Sequence, residues 1–409
     1  MIVVVGIGSD GWAGLSEPGR EAIRAAELVV GSERQLASIP ETGAERRRWP
    51  SPLAPMLDDL EAINGRDVCV LASGDPMLHG IGATLARRLG PGGVAVVPHP
   101  SAFALACSRL GWPEAETEMV STVARPVEVL APALQPGRRV VVYVGGPRGA
   151  AEVARVAGER GYGPSRLVVL EELGGERERI VESTPADWGE QREAAALNCV
   201  ALECRAEPGA PLWPRTPGLP DEAFESDGQL TKREVRASTL AALAPVPGQL
   251  LWDVGAGSGS IAIEWMRVEP TCRAIAVEAR PDRVERIRRN ARRLGVPGLE
   301  LVEGQAPAAL AGLEAPDAIF LGGGLTEPQL LDRCLKALHS GGRIVANAVT
   351  FEGERLLQLA HGEHGGRLVR LEIAEAEPLG GLSGWRPRRP LVQWSATPGP
   401  DAPTEARPR

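Results

Sequence analysis

Two acidic residues and a glycine-rich turn form the pattern in this sequence that is best suited to chemistry. Asp253 lies near the end of a short apolar run, and the turn that follows it consists of Gly255, Ala256, Gly257, Ser258 and Gly259. A carboxylate there suits a ligand with an ammonium group better than one with a pyrophosphate. Glu278, further along, can accept hydrogen bonds from both hydroxyls of a ribose. An ammonium group and a ribose in one ligand describe S-adenosylmethionine.

A strand, a turn and a helix must hold this pattern in place. Residues 250–254 are a continuous apolar run typical of a buried strand, and residues 260–266 read as the first turns of a helix. The backbone N–H groups of such a turn, together with the helix N-terminus, face a bound ligand. The glycine spacing differs from that of the NAD fingerprint. The stretch resembles motif I of the Rossmann-like (class I) methyltransferases, and an ordinary turn without a ligand is the alternative.

The composition restricts the classes of protein that the chain can belong to. It has 409 residues, 43% of them hydrophobic, which predicts two or three domains with full cores. The net charge of −8 argues against a general nucleic-acid binder. No apolar run is long enough to span a membrane, and the N-terminus does not have the pattern of a signal peptide. We therefore expect a cytoplasmic protein without a nucleic-acid or membrane partner.

The cysteine and histidine residues do not suggest a metal site. Six cysteines are scattered along the chain, none of them in a Cys-x-x-Cys pattern, and the five histidines form no ligand pattern with them. We interpret the cysteines as reduced, mostly buried thiols of a cytosolic protein, and we expect no metal cofactor.

Residues 1–204 are predicted to form an α/β domain with a largely parallel sheet, because apolar strand-like runs alternate with helical patterns. The expected strands lie at 2–5, 28–30, from 67 to the turn at 74–76, and at 94–97, 139–144, 167–170 and 198–203. Gly6, Gly8 and Gly11 match the dinucleotide pattern Gly-x-Gly-x-x-Gly. The helix is expected several residues after the third glycine, so we interpret this segment as a tight turn rather than an NAD site.

Residues 205–225 contain five prolines and are predicted to be an extended, fairly stiff linker. A second α/β domain is expected at 226–396, and its proline-rich, charged tail, 397–409, is predicted to be disordered. Strands are expected at 250–254, 274–277, 300–302, 318–321 and 343–347. The late runs 367–374 and 390–395 could pair as an antiparallel edge.

Longer blocks of this sequence resemble a known family. They are residues 218–237, 251–260, 320–324 and 347–350 in the second half, and residues 5–8, 71–76 and 80–82 in the first. These blocks are similar to those of the decarboxylating precorrin methyltransferases of vitamin B12 (cobalamin) biosynthesis, and the resemblance covers about residues 1–396. The resemblance implies a tetrapyrrole methylase-like domain followed by a class I methyltransferase domain.

The resemblance also implies an activity. The N-terminal domain is expected to methylate meso carbon 5 of a precorrin. The C-terminal domain is expected to methylate meso carbon 15 and to decarboxylate the acetate on ring C. One S-adenosylmethionine is expected in each domain, and the assembly is expected to be a homo-oligomer.

Site residues carry over from the family motifs position by position. In the C-terminal domain they place Thr231 by the methionine end of the cofactor, the 255–259 turn around it, Glu278 at the ribose, and Gln305 and Ala306 beside the adenine. Gln305 stands where the family usually has an acid, but its carbonyl can still accept a hydrogen bond from the adenine amine. In the N-terminal domain the matching positions are Gly8, Asp10, Gly74, Asp75, Pro76, Ser101 and Ala102.

A substrate with many carboxylates needs cations in its site. Lys232, Arg233 and Arg236 are the predicted substrate-binding residues, because they lie inside the family motif. We interpret Arg386, Arg388 and Arg389 as solvated loop charges, with substrate binding as the alternative. Asn347 and Glu352 are the candidates for steering protons or the acetate during decarboxylation. A strand-end hydrogen bond and a helix-start carboxylate are their structural alternatives.

Three other functions remain open at this point. The chain could be a class I methyltransferase for another small molecule, with a non-catalytic N-terminal module for substrate recognition. It could be an NAD-dependent oxidoreductase that uses the turn at 6–11, or a non-enzymatic sensor of S-adenosylmethionine. The number of cofactors bound per chain separates the first of these from the fusion enzyme.

Overall fold

The computed structural model describes residues 1–63, 65–90 and 92–398. The chain divides into two compact units after Pro211, inside the stretch predicted as a linker. Most of the predicted tail lies outside the described residues. Within the described ranges, no helix is both long enough and apolar enough to cross a membrane.

The N-terminal unit alternates short helices with strands. Its strands are β1 (Ile2–Ile7), β2 (Leu28–Gly31), β3 (Glu45–Arg48), β4 (Val68–Ser73), β5 (Val94–Val97), β6 (Thr117–Ser121), β7 (Arg139–Tyr143), β8 (Arg166–Glu171), β9 (Arg179–Ser183) and β10 (Asn198–Glu203). Its helices are α1 (Gly11–Gly14), α2 (Glu17–Ala25), α3 (Glu33–Ala37), α4 (Ala54–Ala62), α5 (Ile81–Leu89), α6 (Ala102–Leu110) and α7 (Gly149–Glu159).

This unit has two sheets, so the prediction of one largely parallel sheet is wrong. The first, in the order β3-β2-β4-β1-β5, is parallel throughout, whereas the second, β6-β7-β10-β8-β9, is mixed, because β10 runs antiparallel to both β7 and β8. Strands β3, β6 and β9 were not expected from the sequence. All three are edge strands with partly exposed residues, so they lack the apolar runs that mark a buried strand.

The C-terminal unit has one large sheet. Its strands are β11 (Leu250–Val254), β12 (Arg273–Glu278), β13 (Glu300–Glu303), β14 (Ala318–Leu321), β15 (Arg343–Ala348), β16 (Arg367–Leu371), β17 (Ala374–Leu379), β18 (Leu382–Pro387) and β19 (Leu391–Ala396). Its helices are α8 (Arg233–Leu243), α9 (Ser260–Val268), α10 (Pro281–Arg293), α11 (Leu330–Ala337) and α12 (Phe351–His364).

The order of the large sheet is β13-β12-β11-β14-β15-β19-β16. The first five strands are parallel, and β19 runs antiparallel to its neighbours β15 and β16. The predicted antiparallel pairing of the two late runs is therefore confirmed. Strands β17 and β18 form a separate hairpin that the sequence did not predict. The chain leaves β11 toward one edge and later returns to its other side, which creates the switch point where ligands bind in open α/β sheets.

The second part of the predicted linker, residues 212–225, is not an extended spacer. Leu219, Ala223 and Phe224 are buried in the core of the C-terminal unit, against α8 and α9. The prolines restrict the backbone of this stretch, but the apolar side chains between them bury surface that a free linker would expose to water. The folded part of the C-terminal unit therefore begins well before residue 226.

Candidate active sites

The glycine turn after β11 is shaped for close approach. Gly255 has φ +72°, and a Cβ on it would lie 2.9 Å from the Cα of Gly323, so only glycine fits there. Gly257 has φ +61°, and the nearest atom to its Cβ position is the Gln229 carbonyl oxygen at 3.5 Å, an ordinary van der Waals distance. Gly259 instead packs against Ile287 and begins α9. The turn therefore presents bare backbone to the cavity beside it.

Glu278, at the end of β12, is only 5% exposed and lines the same cavity. One carboxylate oxygen accepts the Gly257 N–H at 2.9 Å, and the other accepts the Arg280 N–H at 3.1 Å. A carboxylate has about four lone-pair positions. Two therefore remain for hydroxyl donors, which fits the two hydroxyls of a ribose.

Asp253 does not reach the cavity. Its side chain is 1% exposed, and Oδ2 accepts the Ala262 N–H at 3.0 Å, in the first turn of α9. Burial, and to a smaller extent the negative charge of Glu278, raise the pKa of Asp253 to about 7 against an ordinary value of 3.8. The Asp253 carboxyl thus accepts a hydrogen bond from the first turn of α9. This geometry does not favour direct contact between Asp253 and an ammonium group of a ligand in the cavity.

The cavity beside the turn measures about 1120 Å³. The predicted residues that line it are Thr231, Lys232, Gly255, Ala256, Gly257, Ser258, Glu278, Gln305, Ala306 and Asn347. Three predicted site residues, Gly259, Arg233 and Glu352, do not line this cavity. The side chains of Arg233 and Glu352 are exposed to solvent outside the cavity. Glu352 lies in the first turn of α12, where the helix dipole stabilises a carboxylate.

Arg236 is not a substrate ligand, contrary to the prediction. It is fully buried, and its Nε donates to Glu264 at 2.6 Å. Its remaining N–H groups donate to Asp221 and to the carbonyl oxygens of Thr231 and Leu219. With no donor exposed to the cavity, this guanidinium joins α8 and α9 to the segment before them.

Asn347 lines the cavity but its side chain is already engaged. Its Nδ2 donates to Thr239 at 3.0 Å, and its Oδ1 accepts from Gln393 at 2.9 Å. Gln393 also donates to Thr239. This network joins β15, β19 and α8, which matches the alternative of a strand-end hydrogen bond. It leaves one N–H and one lone pair of the Asn347 amide for a substrate.

The late arginines were interpreted as solvated charges, and their positions favour the alternative. Arg386, Arg388 and Arg389 all line the cavity, on or just after β18. The sequence could not show this, because it did not predict the β17–β18 hairpin that brings them there.

The N-terminal unit has a cavity of about 530 Å³ at the carboxyl ends of β1, β4 and β5. These strands are parallel neighbours, so the loops after them meet at one edge of the sheet. Gly8, Gly74, Asp75, Ser101 and Ala102 line the cavity as predicted. Ser101 also caps α6, because its Oγ accepts the Ala104 N–H at 3.0 Å.

Two predicted residues of this unit lie behind the cavity wall. Asp10 lies 3.4 Å from His99, measured from Oδ1 to Nε2, and Pro76 packs below Gly80 and Gly82. Neither is among the described residues that line the cavity, so their contact with a cofactor stays a prediction. The match of Gly6, Gly8 and Gly11 also needs a correction, because the short helix α1 begins at Gly11 and only the longer α2 begins later.

Sequence reasoning missed several polar residues that line this cavity, among them Tyr143 and Arg34. The Oη atom of Tyr143 accepts the Phe103 N–H at 2.8 Å, and burial raises the pKa of this phenol. Arg34, on α3, also lines the cavity. Tyr143 closes an apolar strand run, which is a usable signal for a polar group at a strand end, whereas nothing near Arg34 in the sequence distinguishes it.

All six cysteines are free and buried, as the sequence predicted. Burial raises the pKa of the thiols at Cys69, Cys199, Cys204 and Cys334 to about 12, so they remain protonated. Their role is packing rather than nucleophilic chemistry.

Fold and cavity together define the class of each unit. The first is a tetrapyrrole methylase: the profile of the tetrapyrrole (corrin/porphyrin) methylases matches residues 1–187. The second is a class I methyltransferase: the profile of the precorrin methyltransferase domain matches residues 222–398.

The particular family follows from relatives that span the whole chain. The chain is 48% identical over 400 residues to a precorrin-6Y C(5,15)-methyltransferase [decarboxylating] from Sinorhizobium sp, covering 97% of this chain and 96% of that protein. The chain belongs to this family.

Two further relatives span only half of the chain. A probable cobalt-precorrin-6B C(15)-methyltransferase (decarboxylating) from Pyrobaculum aerophilum is 36% identical and covers 44% of this chain and 95% of its own length. A cobalt-precorrin-7 C(5)-methyltransferase from Salmonella typhimurium is 32% identical and covers 46% of this chain and 94% of its own length. The two activities named together in the full-length relative thus occur on separate proteins of half the length.

Proposed function

We propose that this chain methylates a precorrin twice and decarboxylates it once, with the work divided between its units. The N-terminal unit methylates meso carbon 5. The C-terminal unit methylates meso carbon 15 and removes the ring C acetate carboxyl as carbon dioxide. The observation that supports a division is the pair of half-length relatives, each named for one of the two positions. The profile matches at 1–187 and 222–398 support one methyltransferase in each unit.

Each unit binds its own S-adenosylmethionine in this proposal, and the cofactor, when bound, supplies the methyl group. In the C-terminal unit, Glu278 accepts the ribose hydroxyls, and the bare backbone at Gly257 lets the ligand lie against the turn. Thr231 lies at the methionine end, and Gln305 and Ala306 lie beside the adenine. Asp253 acts through the turn and α9 rather than by contact.

The protein's main contribution to methyl transfer is orientation. The meso carbons of the substrate are already nucleophilic, and holding the reacting atoms in line supplies roughly 7–11 kcal/mol of the barrier. Lys232, which pairs with Asp221 at 3.3 Å, adds positive charge to the cavity wall beside a polycarboxylate substrate. Asn347, held by Thr239 and Gln393, can direct its remaining N–H and lone pair to the acetate. Glu352, exposed outside the cavity, is no longer proposed as a catalytic residue.

In the N-terminal unit the proposed ligand contacts come from three loops. Gly8 follows β1, Gly74 and Asp75 follow β4, and Ser101 with Ala102 follows β5. Asp75 is oriented by the Met77 N–H, which donates to its Oδ1 at 2.7 Å. The proposal assigns the backbone of these loops to the cofactor and the wider part of the cavity to the tetrapyrrole.

Paired valine substitutions test the division. Gly74 and Gly257 both have φ near +60° at a cavity wall, so valine at either position fills the site and strains the turn. We expect Gly74→Val to give a product that is decarboxylated and methylated only at carbon 15. Gly257→Val should abolish decarboxylation and methylation at carbon 15. Loss of both methylations in Gly74→Val, with an intact circular dichroism spectrum, would mean that the division is wrong.

Calorimetry supplies an independent test of the cofactor number. We expect two molecules of S-adenosylmethionine per wild-type chain and one in either valine variant. One per wild-type chain would instead favour a single methyltransferase with a recognition module. The proposed homo-oligomer is checked by light scattering of the same samples.

A further inference from the structure

The cations that line the C-terminal cavity differ in whether they are already paired. Lys232 lies 3.3 Å from Asp221, and Arg283 lies 2.9 Å from Asp227. Arg386 and Arg388, on the hairpin side, are paired with Glu377 and Glu375 of β17. These four charges are therefore partly neutralised before any substrate arrives.

Arg389 is the exception. It lines the same cavity, directly after the paired Arg388, yet none of the described residues places an acidic oxygen within 4 Å of its guanidinium. An arginine without a partner can bind a carboxylate through two parallel hydrogen bonds without first breaking an ion pair.

The N-terminal cavity shows the same feature at Arg34. The guanidinium donates to the Ser73 hydroxyl at 3.2 Å, and it has no acidic partner among the residues that the structure describes. The other charged side chains of the lining, apart from His79, are the acids Asp75 and Glu172. Gln35 donates to the same Ser73 oxygen at 3.1 Å, which helps to hold that hydroxyl in place below Arg34.

We propose that Arg389 and Arg34 each bind one side-chain carboxylate of the tetrapyrrole and so orient the macrocycle in the two cavities. This inference rests on the proposed function, since it takes the substrate to be a polycarboxylate. The paired cations line the cavity without this role, because exchanging one exposed ion pair for another gains little binding free energy. The carboxylate of S-adenosylmethionine has the same chemistry, so the experiment must distinguish the two sources.

Neutral glutamine variants of the full-length enzyme test the assignment. Arg389→Gln should raise the KM for the precorrin in the carbon 15 reaction by roughly 10- to 100-fold, the effect of losing charge-assisted hydrogen bonds. The KM for S-adenosylmethionine should remain within about twofold of wild type. Arg389→Lys, which keeps the charge but not the two-pronged geometry, should recover part of the loss. The matched control is Arg370→Gln, because Arg370 is also exposed, pairs with Glu372 at 2.9 Å and does not line the cavity, so the precorrin KM should stay within about twofold of wild type.

The corresponding variant of the other unit is Arg34→Gln. It should raise the precorrin KM of carbon 5 methylation by a similar factor and leave the carbon 15 reaction unchanged. Arg48→Gln is its control, because Arg48 pairs with Glu33 at 2.9 Å and does not line the cavity.

Three results would decide against parts of this picture, and they are distinguishable. An unchanged precorrin KM in both glutamine variants would overturn the carboxylate assignment and leave the proposed function intact. A raised KM for S-adenosylmethionine, with the precorrin KM unchanged, would overturn it in favour of the cofactor's carboxylate. A raised precorrin KM at the opposite carbon would support the arginine assignment while contradicting the division of labour.

Discussion

Replacing Asp253 with asparagine should make the stability of the C-terminal unit less dependent on pH. The carboxyl is 1% exposed, its Oδ2 accepts the Ala262 N–H, and its Oδ1 has no hydrogen-bond partner among the residues that the structure describes. Asparagine has almost the same shape and can still accept the Ala262 N–H through its carbonyl oxygen. The variant therefore changes the charge of this side chain while keeping its main contact.

The size of the effect follows from the pKa. Burial raises the pKa of Asp253 from 3.8 to about 7, so the folded state holds this proton more tightly than the unfolded state. The resulting stabilisation is fully present below about pH 3.8 and is lost as the pH rises through 7. Between pH 4.5 and 8 the wild-type unit should lose about 3 kcal/mol that the asparagine variant does not lose. Any constant cost of the new amide is the same at both pH values and cancels.

Differential scanning calorimetry of the cofactor-free full chain measures this difference. For a unit of this size about 3 kcal/mol corresponds to a change of roughly 6–12 °C in Tm. From pH 4.5 to pH 8, the Tm of Asp253→Asn should rise relative to the Tm of the wild type by that amount. The Arg236→Met variant identifies which transition belongs to the C-terminal unit. A Tm difference between the two proteins that stays constant across this range would show that ionisation of Asp253 does not destabilise the folded unit. The reasoning from burial would then be wrong.

Three further predictions concern the same unit. Glu278→Ala should weaken S-adenosylmethionine binding there by roughly 10- to 100-fold in calorimetry, because two hydroxyls lose a charged acceptor, and an unchanged affinity would remove Glu278 from the site. Arg236→Met should lower the stability of the unit by roughly 3–5 kcal/mol in urea unfolding, because it leaves Glu264 charged and buried. The exposed Arg233→Met should cost less than about 0.5 kcal/mol, and equal effects would contradict the role of Arg236 as a buried link. A fragment of residues 212–409 should fold and carry out the carbon 15 reaction, whereas one that begins at 226 lacks Leu219 and Phe224 and should show no cooperative unfolding transition.

The sequence alone was sufficient for the architecture around β11. Its apolar run, the glycine spacing after it and Glu278 at the end of the next strand are local features, and local steric rules dictate their conformation. The same holds for most buried strands, because a strand covered on both faces needs a continuous apolar run. The two-domain organisation was also predicted from the sequence, through the blocks that resemble known families.

The fate of the charged side chains was decided only by the tertiary structure. Arg236 lies inside a family motif and is buried among Glu264, Asp221 and backbone carbonyls, whereas Arg389 lies at a cavity wall without an acidic partner among the described residues. Asp253 belongs to the signature but points below the turn, toward α9. Whether a charge binds a ligand or stabilises the fold depends on partners distant in the sequence, which come together only when the chain is folded.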